Sequence, residues 1–213
     1  MAKDVDTVIE ELRAKPIIAQ ALSVLRQKLP PTVCYHTAGH TDEVMRDAVE
    51  FALKDDLSER EIELLGIAAA YHDTGFVHRS GDNEVLGADN AVEAMEEHGG
   101  YKDEEISLVR QMILDTQLKI TPRGARQVAT SKLSGYLLDA DVSNLGRDDF
   151  FEKAELVRQE VGVQDQEKFF LGLITFLSCQ EWYTPAAKAA RSAKKQENIR
   201  KLKKLIKKEL EDD

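Results

Sequence analysis

Residues that cross-link loops or interrupt helices are scarce in this chain: 2 Cys, 5 Pro and 12 Gly among 213 residues. The two cysteines, Cys34 (TVCYH) and Cys179 (FLSCQ), lie far apart in apolar surroundings. They lack the CxxC spacing of a zinc or redox pair, so free buried thiols are expected. The few glycines and prolines fall mostly between periodic segments, which disfavours a turn-rich β fold. Long apolar runs are missing too. The richest, FFLGLITFLSC, is too short to span a bilayer. The opening MAKDVDTVIEEL is charged and amphipathic, unlike a secretory leader, and a cytoplasmic location is expected.

Positive charge is in deficit over most of the chain. Residues 188–208 hold ten of the 29 basic side chains and a single acid, Glu197, leaving 19 basic against 38 acidic residues elsewhere. Phosphate-backbone binding needs concentrated positive charge, so no nucleic-acid clamp is expected in the acidic body, and no membrane partner. The basic stretch reads as a solvated helix face or a partner of that body.

What is present is helical periodicity. Residues 6–29 repeat apolar positions at three and four, with a break near Pro16 and a stop at Pro30-Pro31. Thr37 to Lys54 repeats them again (Val44, Ala48, Phe51, Ala52), and Ser58 with Glu61 forms a capping box ahead of LLGIAAAYHD. After the polar loop VHRSGDN, a helix starts at Asn83 or Glu84 and stops at His98-Gly99-Gly100, where His98 suits the helix dipole. Asp103 is expected to cap the next helix, through Gln117. Pro122 and Gly124 mark a turn before a helix from about Ala125 to Asp141. Segments 147–160, 165–183 and 185–210 complete the series, the last opened by Thr184-Pro185. No strand pattern competes with helix. The expected fold is all-α: one domain over 1–213, with a core at about 30–150, C-terminal helices 147–213 packed on it, and a long final helix.

Only 5 His are present, and three sit in short contexts that suggest chemistry. Tyr35-His36-Thr-Ala-Gly-His40 spaces two histidines by four, which puts both on one face if the helix has already begun. Ala-Ala-Ala-Tyr71-His72-Asp73-Thr-Gly75 delivers an adjacent His-Asp pair at the end of an apolar helix. Leu137-Leu-Asp139-Ala-Asp141 ends a second apolar helix in carboxylates. Polar groups at the ends of buried helices need partners, and one divalent ion would satisfy them together. Two imidazoles and two carboxylates suit Mn²⁺, Fe²⁺, Ni²⁺ or Zn²⁺, with Mg²⁺ also admitted. Four ligands leave positions for water and a substrate oxygen, as metal-assisted hydrolysis requires.

The ordered series His … His-Asp … Asp resembles the HD superfamily of metal-dependent phosphohydrolases. The likeness covers most of the chain. It extends through His72-Asp-Thr-Gly-Phe … Asn83-Glu84, Ile113-Leu-Asp-Thr116 and Asp139-Ala-Asp141 … Leu145-Gly146. It continues in Arg158-Gln-Glu160, Tyr183-Thr184-Pro185 and Asn198-Ile199. It implies an HD-type helical bundle with His40, His72, Asp73 and Asp141 as metal ligands. Asp141 is the acid following Ala in that pattern, which leaves Asp139 as a helix-end hydrogen-bond partner. Tyr35-His36 … His40 is also similar to the YHNxxH segment of cyclic-nucleotide phosphodiesterases, which implies His36 as the acid protonating the leaving oxygen. Thr37 replaces the Asn of that segment, and Val77 stands where a second-metal histidine would be expected; one metal is therefore favoured.

Around this set, Glu84 could accept a proton from the activated water, while His78 and Arg79 could meet a substrate phosphate. Phe169, Phe170, Leu173, Phe176 and Leu177 read as a core stripe. The expected activity is hydrolysis of a phosphoester or phosphoanhydride through a metal-activated water. The expected partner is a small phosphorylated molecule of the nucleotide class, and a homodimer is compatible. The rival readings are a metal-bound sensor or interaction module without turnover and a di-iron HD-type oxygenase, which needs more histidines than the chain offers.

Overall fold

The computed structural model describes residues 4–78 and 81–212, with side chains as far as residue 207. Among them the fold is all-α, with one short hairpin. The helices are α1 (Val5–Arg13), α2 (Pro16–Lys28), α3 (Ala38–Lys54), α4 (Glu59–Tyr71), α5 (Asn83–His98) and α6 (Asp103–Asp115). After the hairpin come α7 (Lys132–Asp141), α8 (Phe150–Glu160), α9 (Gln166–Cys179) and the long α10 (Pro185–Asp212). None is long and apolar enough to cross a membrane.

Local chemistry accounts for most of these boundaries. The Ser58 capping box forms in full, closing the first turn of α4 from both directions. Thr37 caps α3, Asp4 caps α1, and Pro16 occupies the first turn of α2, where its missing N–H costs nothing. Helix α5 ends at Gly99 with φ 71°, a left-handed value suited to glycine.

Five expectations need correction. The helix expected from about Ala125 does not start there, and the chain is not free of strand: β1 (Lys119–Thr121) pairs antiparallel with β2 (Gly124–Arg126). Pro122 cannot donate to a helix, Gly124 turns the chain at φ 125°, and the first helix cap beyond them is Ser131, which accepts from the Ser134 N–H. Helix α7 therefore starts at Lys132 rather than Ala125. Asp103 is the first residue of α6, not its cap. The preceding Lys102 N–H instead donates to Glu105. Helix α9 stops at Cys179, because residues 180–184 run extended to meet the end of α7. A short 3₁₀ turn, Ser143–Gly146, fills the gap before α8, which starts at Phe150 rather than Arg147. Both cysteines are free, but Cys34 is only half-buried.

The interior falls into two apolar clusters. The larger gathers α1–α7, with Phe51, Met45, Leu65, Ile67 and Leu137 fully buried, and takes Ala186 and Ala187 from the start of α10. The smaller joins Leu145 and Phe150 to Phe170 and Leu177 of α9 and to Ile199, Leu202 and Ile206 of α10. Trp182 packs against both. The seam between them is ionic. Buried Asp47 of α3 meets Arg191 at 3.0 Å and Arg147 at 3.5 Å, and Arg147 also pairs with Glu43 and Asp149 at 2.6 Å. Buried charge is tolerated only when paired in this way. Gly146 lets the chain pass α10, since a Cβ there would lie 2.5 Å from the Arg191 carbonyl oxygen.

Candidate metal centre

Three helix ends meet at one point. Helix α3 contributes His40 in its first turn, α4 contributes His72 as its C-cap with Asp73 just beyond, and α7 contributes Asp141 as its last residue. One donor atom each from His40, His72 and Asp73 lies within 4.8 Å of the others, and all three residues are buried. The Asp141 carboxylate completes the group, with Oδ1 3.2 Å from His40 Nε2 and 3.5 Å from His72 Nε2.

The two aspartates of α7 separate cleanly. Residues two apart on a helix point about 200° away from each other, so Asp139 and Asp141 cannot serve the same site. Asp139 turns toward α10, accepting from the backbone N–H of Tyr183 and Thr184 and from the Thr184 hydroxyl. Burial pushes its carboxyl up to about 6 despite those donors. Asp141 alone faces the histidines.

The donors are held in place from behind. The His72 Nδ1 lies 2.7 Å from the Ala69 carbonyl oxygen, which can only accept, so that nitrogen carries the proton and a neutral ring would aim the Nε2 lone pair into the cluster. There it faces the Asp73 Oδ2 at 3.1 Å, yet both atoms are buried without a hydrogen bond. His40 Nε2 is hydrogen-bonded to Asp141 Oδ1 at 3.2 Å, so the unsatisfied pair in the cluster is His72 Nε2 and Asp73 Oδ2. Without a cation, burial opposes charge on His72, but Asp73 and Asp141 outweigh it and raise its pKa. Burial likewise opposes ionisation of Asp73 and Asp141, and the histidines reverse that, lowering both. A divalent ion fits this donor set, since it would satisfy the orphaned atoms and remove the need for buried imidazolium.

Glycine lets α5 close against the turn that carries His72 and Asp73. A Cβ at Gly87 would lie 2.7 Å from the Tyr71 carbonyl oxygen and 2.8 Å from that of His72. A Cβ at Gly75 would lie 2.0 Å from the Asn83 carbonyl oxygen. Thr74 ties the turn to Tyr71, and Asn90 of α5 donates to Thr74.

His36 precedes α3 rather than lying on it, so its spacing of four from His40 is not a helical one; the two rings sit edge to face at 5.7 Å. Its ring stacks on Phe76 at 4.3 Å, and Nδ1 is held by Glu160. Burial would lower the His36 pKa, but the charge of Asp73 and the bond to Glu160 outweigh it and raise it. Glu84 lines the same cleft, and its carboxyl is raised by burial, with the Asp73 and Asp141 charges adding. His78 is exposed and outside the cleft lining, and Arg79 lies outside the described residues.

Two contributors have no local signature. Glu160, at the end of α8, also accepts from the backbone N–H of Tyr35 and His36. Gln127, in the loop after β2, donates to Asp141 Oδ2 at 2.5 Å and to the Thr116 carbonyl at 2.9 Å. Only the packing of distant segments brings them here. Compared with known proteins, the chain matches no family model and no curated protein.

Proposed function

We propose that this protein is a metal-dependent phosphohydrolase of the HD type, cleaving a phosphoester or phosphoanhydride of a small molecule. The observation that carries this reading is the buried convergence of His40, His72, Asp73 and Asp141, in which His72 Nε2 and Asp73 Oδ2 have no hydrogen bond for a cation to displace, at the end of a cleft of about 590 Å³ lined by Asp73 and Asp141. The ion we assign there is a single Mn²⁺, Fe²⁺, Ni²⁺ or Zn²⁺, with Mg²⁺ admitted. When bound, it supplies Lewis-acid polarisation of the phosphoryl group and of the attacking water.

The chain's own residues supply proton handling and position. Glu160 accepts from His36 Nδ1, which leaves Nε2–H to protonate the departing oxygen. The raised pKa keeps that proton available near neutrality. Glu84, whose carboxyl is raised by burial, can hold a proton from the water. Gln127 steadies Asp141 from the side away from the histidines. Among the described residues no further histidine joins the group, which favours one ion over a di-iron oxygenase centre.

The test pairs elemental analysis with a substrate panel. About one transition metal per chain is expected, together with Mn²⁺-dependent hydrolysis of at least one member among nucleoside mono-, di- and triphosphates, cyclic nucleotides, an aryl phosphodiester and alkyl phosphates. Two irons per chain would revive the oxygenase. A metal-loaded protein inactive on the whole panel would favour the sensor reading.

A further inference from the structure

The cleft that opens over the cluster is chemically two-ended. At one end lie Asp73, Asp141, His36 and Glu84; the polar side chains of Asn83, Thr116, Gln127 and Asn144 also line it. Away from the cluster it runs between α8 and α9, walled by Phe150, Ala154 and Val157 on one side and Phe169, Leu173 and Phe176 on the other. Val161 and Leu118 line it too and are 58% and 50% exposed. Lys168 is the one charged side chain that α9 adds to the lining.

We infer that the alcohol portion of the substrate is an aliphatic chain lying between α8 and α9, rather than a nucleoside. This deepens the phosphohydrolase reading and rests on it. A nucleoside carries sugar hydroxyls and base edges that need partners, and a buried polar group left without one costs more than its contact returns. Along α8 and α9 the six apolar side chains provide no such partners, and Lys168 alone could donate. A saturated chain needs none and gains free energy with every methylene removed from water. The cleft's volume of about 590 Å³ lies within the roughly 300–1,000 Å³ of small-molecule sites. It is continuous with the carboxylate and histidine end, so one occupant can present phosphate to the cluster and chain to the walls. For a monoester, the water oxygen bonds to phosphorus, the P–O bond to the alcohol breaks, and the proton passes to the departing oxygen, giving inorganic phosphate and an aliphatic alcohol.

The test is calorimetric titration of the Mn²⁺-loaded full chain with n-alkyl phosphonates from butyl to decyl, alongside hydrolysis of the matching alkyl phosphates and of the nucleotide panel. Affinity should rise about three- to fourfold per added methylene until the cleft is filled. Gly172 lines the cleft with nothing within 4 Å of its added Cβ, so Gly172→Trp should occupy the space and abolish the chain-length gain. If that variant does not fold, Val157→Asp makes the same comparison from the opposite wall. Affinity independent of length, or a length dependence that survives both variants, overturns the inference. So does a nucleotide hydrolysed well ahead of every alkyl phosphate, which would leave the phosphohydrolase reading intact. Cleft-dependent chain binding without turnover of any phosphoester supports the aliphatic cleft and defeats the hydrolase.

Discussion

Helices α4 and α9 are the two most apolar in the chain, and they meet opposite fates. Helix α4 buries nine residues, from Ile62 to Tyr71, in the middle of the main core. Helix α9 buries three, Phe170, Leu177 and Cys179, and leaves Leu171 51% exposed. The difference lies in neighbours. Helix α4 is surrounded by α2, α3, α5, α6 and α7, whereas α9 touches mainly α10 and the hairpin, with the cleft along another side. Apolar sequence on α4 is consumed by folding, and the helix ends where His72 and Asp73 must be held still. On α9 it remains available to a ligand.

The sharpest break of the comparison is at the end of α4. On the proposed reading, Asp73→Ala should cost at least about 1,000-fold in turnover and most of the bound metal, read by steady-state rates and elemental analysis, because it would remove a buried carboxylate donor from the group. Chelation of wild type should lower the melting temperature by roughly 5–10 °C if metal saturates at about 100 times Kd, and should leave Asp141→Ala unmoved. Wild-type melting unchanged by chelator would count against a resident ion.

Within the helices, Leu65→Ala in α4 should cost about 3 kcal/mol in urea unfolding, against about 1 kcal/mol or less for Leu173→Ala in α9. Equal costs would erase the distinction. At the polar end of the cleft, His36→Gln should lower turnover about 100-fold while metal stays bound. Glu160→Gln should move the alkaline limb of the rate profile to lower pH, since the carboxylate helps raise the His36 pKa. An unmoved limb would remove His36 from the acid role.

A separate effect concerns Lys195, buried over Trp182 at 5.2 Å and donating to the Gln180 carbonyl, with its pKa pushed down to about 8 by burial. A depressed ammonium contributes stability above its unfolded value near 10.5, and that stability is lost as pH falls through about 8. Wild type should therefore gain on Lys195→Met by about 3 kcal/mol between pH 8 and 10.5, measured by urea unfolding. A flat difference would show that Lys195 is not desolvated.

Much of the fold was legible because it is written locally. Ser58 and Glu61, Thr37, Pro16 and Gly99 each act within one turn, so α2 to α5 begin and end close to where their residues indicate. The hairpin escaped, since Ala125 and Arg126 have no strand pattern of their own and meet Ile120 and Lys119 only because Gly124 turns the chain back, where the Thr121 hydroxyl also donates to the Gly124 carbonyl. Phe169, Leu173 and Phe176 read as core because helical periodicity reports an apolar face but not what covers it. Free thiols were expected and are found, yet the half-exposure of Cys34 depends on a loop's final path.

By itself, the sequence determined an all-α chain with a long final helix and carried the residue types of a mixed histidine and carboxylate centre, because helix caps, periodicity and side-chain chemistry act over a few residues. The tertiary structure alone decided that Asp141 and not Asp139 faces His40 and His72. It also decided that Glu160 reaches His36 across 124 residues and that α9 lines a cleft with Phe169, Leu173 and Phe176 while Phe170 and Leu177 fill the smaller core. The physical reason is that each depends on the angle and distance at which separate helices pack. Those are fixed by the sum of burial over the whole molecule and by no short stretch of it.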